Sequence, residues 1–314
     1  MSCERRRLVP NLWVMSQGSG SHFVTRSAWP RIRYFDETEV FNHWKELNAA
    51  RALATNAPLR GGLQFTLNLT IPPHNSDPCS RPVPFIPATT TLPRSSSVLV
   101  QLRDGLQTEP GNLSQVWTAR IPGAPDTLFV LKIIQPSMCY YPSPDESWWA
   151  NYTNPQDLAG HEAWAYEALQ EKQGLCVPYF FGLHTIITPS GESAWVLVLE
   201  YIPGVTLDAV QPISDIQNAS ISGLDTVREI TCAGFMLGDV RAPNFILTGP
   251  PDARAVVAID FSGLQRISTG IDLAKVSASD EMDFFSKFAI CARVHYPGIY
   301  QWAKEQLPRH VWVR

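Results

Sequence analysis

The feature that most constrains this chain is a short apolar strand ending in an acidic residue, with an Asp and an Asn placed upstream of it. The run Val257-Ala258-Ile259 leads directly into Asp260, and Asn244 lies sixteen positions before Asp260. Asp239 lies five positions before Asn244. Carboxylate and amide oxygens are ligands that Mg²⁺ accepts in proteins. We therefore expect Asn244 and Asp260 to bind Mg²⁺ together, with Asp239 close by.

Asp239 has the chemistry of a group that orients an attacking hydroxyl, so the spacing favours phosphoryl transfer. The segments Gly238 to Asn244 and Asp260 to Ser262 resemble the catalytic loop and the metal-binding triplet of the protein-kinase-like superfamily, whose patterns are H-R-D-x-x-x-x-N and D-F-G. The resemblance implies an α+β fold of two lobes, with a small antiparallel-sheet N-lobe and a shortened helical C-lobe. It also implies ATP and Mg²⁺ as cofactors. Over residues 162–204 the chain is similar to poorly characterised fungal kinase-like proteins.

A lysine at the end of another apolar strand adds to this pattern. Lys132 follows the run Phe129-Val130-Leu131, where its cation can neutralise the α- and β-phosphates of a nucleotide. Such a lysine needs a carboxylate partner, and Glu162, near the start of a predicted helix, is the best candidate. Glu167 is the alternative, and it lies on a different face of that helix. The catalytic residues implied by the resemblance are Lys132, Glu162, Asp239 and Arg241.

The resemblance also implies residues around the nucleotide. The loop 105–114 keeps only one of the three family glycines, so its backbone N–H groups would have to approach the phosphates. Val116 and Ala119 are expected against the adenine face and Leu199 at the back of the pocket. The backbone of the connecting segment 199–204 would pair with the adenine edge. The implied nucleotide contacts are Gly111, Ser114, Val116, Ala119, Lys132, Leu199, Glu200 and Ile202.

The chain departs from the family patterns at several positions. Leu237 and Gly238 replace the His and Arg before the catalytic Asp, and Ser262 replaces the Gly of the metal-binding triplet. Ser262 is less free than Gly to adopt a positive φ, so we expect any rearrangement of this triplet to be damped. No A-P-E segment follows Asp260, and only 54 of the 314 residues remain after it. The elements that dock a peptide substrate are therefore expected to be shortened or missing.

Several functions stay open on the sequence. The polar set favours an ATP-dependent phosphotransferase, and Arg241 favours one of the protein Ser/Thr kinase type. Gly238 and the short C-terminal part favour a small-molecule kinase resembling the aminoglycoside phosphotransferases, whose pattern is H-G-D. The loss of glycines from the loop, together with Leu237 and Ser262, favours a pseudokinase that acts as a nucleotide-binding or scaffold module. The remaining alternative is an unrelated α+β protein with chance motifs, and the phosphate acceptor, protein or small molecule, is not identified.

The pattern along the chain predicts three regions. These are an N-terminal extension at 1–95, an N-lobe at 96–202 with an insertion at 135–157, and a short helical C-lobe at 203–314. The extension carries a helix and a strand, followed by a Pro-rich loop or linker at 72–94. Apolar periodicity near the helical or the strand repeat gives the individual elements. The predicted helices are 35–54, 158–172, 223–236 and 278–291, and the predicted strands are 62–71, 98–102, 115–121, 128–134, 179–188 and 194–202.

The composition and charge of the chain limit the classes of partner that we expect. A net charge of −4 offers no basic surface, so nucleic acid is not expected as a partner. No apolar run approaches the roughly 20 residues of a membrane-spanning helix, and no signal peptide is recognised, so no membrane partner is expected. The six cysteines are scattered without paired spacing, which is typical of reduced thiols. We therefore expect an intracellular, cytoplasmic protein.

Overall fold

The computed structural model of this chain describes residues 37–73, 77, 80–84, 95–141, 143, 154–211 and 213–312. Residues 1–36 of the predicted N-terminal extension and the centre of the predicted insertion lie outside these residues. The described residues form six α-helices, two sheets of three or more strands, and one two-stranded sheet. The helices are α1 (Glu37–Asn56), α2 (Pro155–Ala168), α3 (Ile213–Cys232), α4 (Leu273–Ala292), α5 (Ile299–Gln306) and α6 (Arg309–Trp312). None of these helices combines the length and the apolarity needed to cross a bilayer.

The main sheet has six strands, and every neighbouring pair in it is antiparallel. Its spatial order is β1-β2-β3-β4-β6-β5. The strands are β1 (Gln64–Thr70), β2 (Ser95–Gln107), β3 (Gln115–Ile121), β4 (Ala124–Ile134), β5 (Phe180–Ile187) and β6 (Ser193–Glu200). The first strand comes from the predicted N-terminal extension, and it pairs with β2 at the edge of the sheet.

The central strands β3, β4 and β6 of the main sheet are largely buried on both faces, whereas every second residue of the edge strand β1 is exposed. One face forms an apolar cluster that includes Trp117, Phe129 and Leu131. The other face contributes Leu197 and Leu199 to a larger cluster that also contains residues of α2 to α6. A charged side chain on this second face is therefore held between the sheet and a helix.

Five further strands form the smaller sheets: β7 (Gly204–Thr206), β8 (Phe235–Met236), β9 (Phe245–Thr248), β10 (Ala255–Ala258) and β11 (Gln265–Arg266). In the three-stranded sheet, of order β10-β9-β7, Phe245 lies opposite Ala258. Just beyond that pair, the Ile259 N–H donates to the Asn244 carbonyl at 2.8 Å. The residue before Asp260 is thereby fixed beside Asn244. The two-stranded sheet joins β8 to β11.

The helices α3 and α4 pack closely because a glycine makes room for an aromatic ring. A Cβ placed on Gly223 of α3 would lie 2.0 Å from the Phe284 ring of α4. Phe284 also makes an edge-to-face contact with Phe245 of β9, with ring centroids 4.9 Å apart. This contact ties the helical core to the strand that follows Asn244.

Most predicted elements agree with the structure within a few residues, but the helix predicted at 223–236 is wrong in its bounds. The helix α3 begins at Ile213, ten residues earlier, and ends at Cys232. Its first half is rich in polar and small residues, so the apolar periodicity there is weak. Gly234, with a φ of 88°, follows the helix, and Phe235–Met236 is strand β8. Left-handed backbone of this kind ends helices, and glycine adopts it without strain.

Candidate active site

Lys132 of β4 lies between two carboxylates that come from distant parts of the chain. Its Nζ is 2.7 Å from Glu162 Oε2 on α2 and 2.9 Å from Asp260 Oδ1, which follows β10. Glu162 is fully buried, and only 10% of the Lys132 side chain is exposed. The structure thus brings together three of the predicted site residues. Glu167, the alternative partner, is exposed on α2.

Electrostatics keep this cluster charged at neutral pH. Burial alone would lower the pKa of the Lys132 ammonium, but Glu162 and Asp260 outweigh it and hold the pKa above its usual value. Burial raises the pKa of the Glu162 carboxyl to about 6, against the opposing effect of Lys132. Burial also acts to raise the pKa of Asp260, but Lys132 and Ser262 reverse the effect and lower it. One cation therefore faces two carboxylates, and the excess negative charge suits a bound metal cation.

The backbone at Asp260 is unusual. Asp260 has a φ of 62°, and no other non-glycine residue in the described part of the chain has a positive φ. The chain thus makes its left-handed turn at Asp260, two residues before Ser262, and the expected damping of any rearrangement of this triplet stays a prediction. The Ser262 N–H donates to Asp260 Oδ1 at 3.3 Å. Strain of this kind persists only where the surrounding contacts enforce it, as the Lys132 ion pair does here.

Asn244 connects Asp239 to the strand end that carries Asp260. Its Nδ2 donates to the Asp239 carbonyl and to Asp239 Oδ2, both at 3.1 Å. Its own carbonyl accepts from Ile259, and its side chain is largely buried. The two predicted metal ligands, Asn244 and Asp260, therefore lie on neighbouring segments next to Asp239.

The residues at this site can supply two of the ligands of a Mg²⁺ ion, and the other ligands would be water and phosphate oxygens. Among the hydrogen bonds of the described residues, none uses the side-chain oxygen of Asn244. The described residues contain no cluster of three or more His, Cys, Asp or Glu suited to a metal ion. Mg²⁺ is commonly held by one or two protein oxygens, with water and substrate phosphates as the other ligands. Asn244 and Asp260 would supply that pair.

Arg241 covers the carboxylate of Asp239. Its Nε lies 2.7 Å and 2.9 Å from the two Asp239 oxygens, and its Nη2 lies 2.5 Å from Oδ2. The Arg241 side chain is 62% exposed, so little packing holds it in place. Asp239 is thus paired with Arg241, another residue of the predicted catalytic set.

Gly238 is required by a close approach of two backbones. A Cβ at this position would lie 2.1 Å from the carbonyl oxygen of Gly263. The pairing of β8 with β11 brings Gly238, two residues after β8, close to Gly263, two residues before β11. The absence of the family Arg at position 238 therefore has a steric cause within this chain.

The register of the main sheet places the residues expected around the nucleotide on two different faces. Val116 lies opposite Lys132 and Val130 lies opposite Leu199, so these four side chains share one face of the sheet. Ala119 is three positions after Val116 and therefore points to the opposite face, where it is fully buried in the other apolar cluster. The expectation that Ala119 contacts the adenine is wrong for this reason. Val130 belongs to the site face instead, and its spacing of two from Lys132 could have revealed it.

The loop between β2 and β3 is held by contacts within the protein. Gly111 has a φ of 92°, and its N–H donates to the Met138 carbonyl at 2.9 Å. Ser114 is buried, and its carbonyl accepts from the Gln107 side chain at 3.0 Å. A phosphate contact through Gly111 or Ser114 stays a prediction, and it would require this loop to change its hydrogen bonds.

The segment after β6 carries Glu200 and Ile202, whose backbone groups are predicted to pair with the adenine edge. The Glu200 N–H already donates to the Tyr179 carbonyl at 2.9 Å. No residue in the described ranges forms a hydrogen bond with the Ile202 N–H. Ile202 itself is buried. The Ile202 N–H is therefore available to a ligand.

Three residues near the site were not predicted from the sequence as site residues. Asp280 of α4 accepts a hydrogen bond from the Leu237 N–H at 3.3 Å, and burial raises the pKa of its carboxyl to about 6. Tyr166, one turn after Glu162, packs edge-on against Phe261 with ring centroids 5.1 Å apart. His161 contacts the Leu264 carbonyl at 3.0 Å. Of these three residues, only Asp280 could have been recognised in the sequence. It is four positions before Phe284, so it is an acidic residue on the apolar face of α4.

Two hollows on the described surface lie away from this cluster of charges. One is lined by Asn218, Asp225 and Arg254, and the other by Ala54, Trp117 and Gln135. The candidate site is thus defined by its ion pairs and hydrogen bonds.

Neither a protein-family model nor a curated protein sequence matches the chain. Among solved structures, the crystal structure of the BubR1 kinase domain is similar, with a TM-score of 0.44 and 12% sequence identity. The match covers 63% of this chain and 63% of that domain. At this distance we draw no conclusion on activity or substrate from it. The structure is a mixed fold of helices and sheets with an antiparallel main sheet.

Proposed function

We propose that this chain is an ATP- and Mg²⁺-dependent phosphotransferase with a protein-kinase-like fold. The observation that carries the proposal is the pairing of Lys132 with both Glu162 and Asp260 beside Asn244 and Asp239. A structural ion pair needs only one carboxylate, whereas this cluster keeps an excess negative charge at a strained residue. Such a combination is typical of a functional site rather than of a packing contact.

Each residue has a defined task in the proposed reaction. The bound metal would neutralise charge on the phosphates. Lys132 would contact the nucleotide phosphates, with Glu162 holding it in place. Asp239 would orient the acceptor hydroxyl and accept its proton as the new oxygen–phosphorus bond forms and the bond from the γ-phosphorus to the β-phosphate oxygen breaks. Arg241 would leave Asp239 and contact the transferred phosphoryl group, which its exposure allows.

The acceptor class stays open between a protein Ser/Thr residue and a small molecule. Gly238 was one of the two sequence arguments for a small molecule, beside the short C-terminal part. Its close approach to Gly263 gives it a steric reason that does not depend on the acceptor. The argument from Gly238 therefore no longer separates the two classes.

A nucleotide-binding module without catalysis is the second candidate. Two observations favour it: the Gly111 N–H is already used by Met138, and Arg241 occupies both oxygens of Asp239. A protein of this kind would bind nucleotide without transferring phosphate.

Binding and turnover should be tested separately. Saturating Mg-ATP, at about 100 times Kd, should stabilise the native protein by about 2.7 kcal/mol in a thermal or chemical unfolding assay. Asp260→Asn should weaken ATP binding in the presence of Mg²⁺ and change it little in EDTA. An exposed turn residue, Asp252→Asn, is the matched control and should leave binding unchanged.

Turnover is measured as phosphate transfer from ATP to water, to generic protein acceptors or to a panel of small alcohols. Asp239→Asn should lower this rate about 10²–10⁴-fold while Mg-ATP binding persists. Transfer that continues unchanged in Asp239→Asn would refute its role. A wild-type protein that binds Mg-ATP without transferring phosphate would favour the binding module, and one that ignores millimolar Mg-ATP would refute both candidates.

A further inference from the structure

Arg81 lies in a segment, 80–84, that the sequence presents as part of a Pro-rich linker, yet it is one of the most extensively bonded residues of the protein. Its backbone N–H donates to the Gly174 carbonyl at 2.7 Å, and its carbonyl accepts from the Tyr179 hydroxyl at 2.8 Å. Both backbone groups are thus fixed to the segment 174–179, which leads into β5. The segment around Arg81 is therefore an integral part of the fold.

The Arg81 guanidinium joins this segment to the end of β6. Its Nε and Nη2 donate to the two carboxylate oxygens of Glu200 at 2.8 Å and 2.9 Å. The remaining donors reach the Leu175 carbonyl at 2.5 Å and the Val177 carbonyl at 3.0 Å. Glu200 is 6% exposed and Arg81 is 20% exposed, so water cannot readily replace these bonds. A bidentate pair of this kind fixes orientation as well as distance.

Glu200 is the residue at which the chain leaves the main sheet. Its carboxylate also accepts from the Tyr179 N–H at 3.0 Å, and its own N–H donates to the Tyr179 carbonyl. Two residues later comes the available N–H of Ile202. Because Arg81 fixes the Glu200 side chain through two hydrogen bonds, it also determines the direction in which residues 200–202 leave β6.

We propose that Arg81 is a positioning residue for the nucleotide base: it holds Glu200 so that the Ile202 backbone can bond to the edge of the adenine. This inference rests on the proposed function and adds to it. None of the Arg81 hydrogen bonds involves Lys132, Asn244 or Asp260. Arg81 therefore acts on the binding of the base and leaves the binding of the phosphates unchanged.

The test compares two ligands that share the phosphate part. Mg-ATP carries the base, and magnesium tripolyphosphate does not. In Arg81→Lys the bidentate bond is lost, because an ammonium cannot present two parallel donors. We expect its Kd for Mg-ATP to rise about tenfold, the equivalent of one hydrogen bond, and its Kd for magnesium tripolyphosphate to stay within about twofold of wild type. Isothermal titration calorimetry measures both.

Arg254→Lys is the matched control. Arg254 makes the same kind of bidentate contact, with Nε and Nη2 at 3.2 Å and 2.9 Å from the Asp215 oxygens, at a similar exposure of 24%. It joins α3 to the turn before β10, so its loss should change neither affinity. If Arg81→Lys does not fold, Glu200→Gln keeps the side-chain shape and should give the same contrast between ligands at smaller amplitude.

Equal weakening of both ligands in the Arg81 and Glu200 variants would overturn the inference, since it would indicate a general structural role. Unchanged Mg-ATP affinity in those variants would overturn it as well, while the proposed function stands. A wild-type protein that binds neither ligand would instead refute the proposed function, and this inference with it.

Discussion

Replacing Lys132 by Met should destabilise the protein mainly through the carboxylate that it leaves behind. Glu162 is fully buried and has Lys132 as its cationic partner at 2.7 Å. Removing one partner of a buried ion pair costs about 3–5 kcal/mol, because the other charge remains uncompensated. That is a large fraction of the 5–15 kcal/mol that stabilises a typical domain. A surface ion pair would cost only about 0–1 kcal/mol, so the magnitude distinguishes the two cases.

The loss should depend on pH in a defined direction. In the wild type, burial raises the pKa of Glu162 to about 6 from 4.5. A carboxyl with a raised folded-state pKa contributes its stability fully below the unfolded value, and that contribution is lost as the pH rises through 6. Without Lys132 the pKa of Glu162 rises further, so the variant recovers stability on acidification from pH 8 to pH 5.5. In the wild type the lowered pKa of Asp260 acts only below about pH 3.8, whereas in the variant the loss of Lys132 raises that pKa and adds to the recovery on acidification.

Urea unfolding followed by tryptophan fluorescence measures the effect for wild type, Lys132→Met and the double variant Lys132→Met/Glu162→Gln. The gap between wild type and Lys132→Met should be largest at pH 8 and smaller at pH 5.5. At pH 8 the free energy of unfolding of the double variant should be about 1–2 kcal/mol higher than that of Lys132→Met, because the amide at position 162 leaves no uncompensated buried charge. A gap below about 1 kcal/mol at pH 8, or one that is independent of pH and unchanged in the double variant, would show that Glu162 does not depend on Lys132.

Two other substitutions test the structure around the site. Gly238→Ala places a methyl group 2.1 Å from the Gly263 carbonyl and should lower the free energy of unfolding by about 1–3 kcal/mol or more, whereas Gly160→Ala, in α2 with open space around it, should raise it by about 0.5–1 kcal/mol. Equal effects in urea unfolding would argue against the close approach. Asp280→Asn should remove a pH dependence, since the pKa of Asp280, raised to about 6, makes the wild type lose stability as the pH rises through 6. Relative to this variant, the wild type should lose on the order of 1–2 kcal/mol between pH 4.5 and 7.5, and parallel curves would contradict that role.

The site residues that could be predicted from the sequence are those that belong to a short, contiguous sequence pattern. The strand ending in Lys132 and the segment from Asp239 to Asn244 each carry a short, contiguous pattern. The choice of Glu162 over Glu167 followed from helix geometry, and the contact at 2.7 Å agrees with it. Ala119 was misplaced because matching a family pattern ignored the period of two that decides which face of a strand a residue occupies.

Arg81 and Asp280 gave no comparable signal. The meaning of each depends on a partner more than 40 positions away: Glu200 for Arg81 and Leu237 for Asp280. A Pro-rich stretch predicts a loop correctly, but it does not tell whether that loop packs against the core. Pairing over such distances follows from the packing of the whole chain and leaves no local periodicity.

The amino-acid sequence by itself determined the order of the six main-sheet strands and of α1 to α4, and the chemical identity of the charged residues, because apolar spacing and side-chain chemistry are local properties. Only the tertiary structure decided that Lys132 faces both Glu162 and Asp260, that residue 238 has no room for a side chain, and that Arg81 is bonded to Glu200. Those outcomes depend on the register of strands and on backbone separations of a few ångströms, which many distant residues set together.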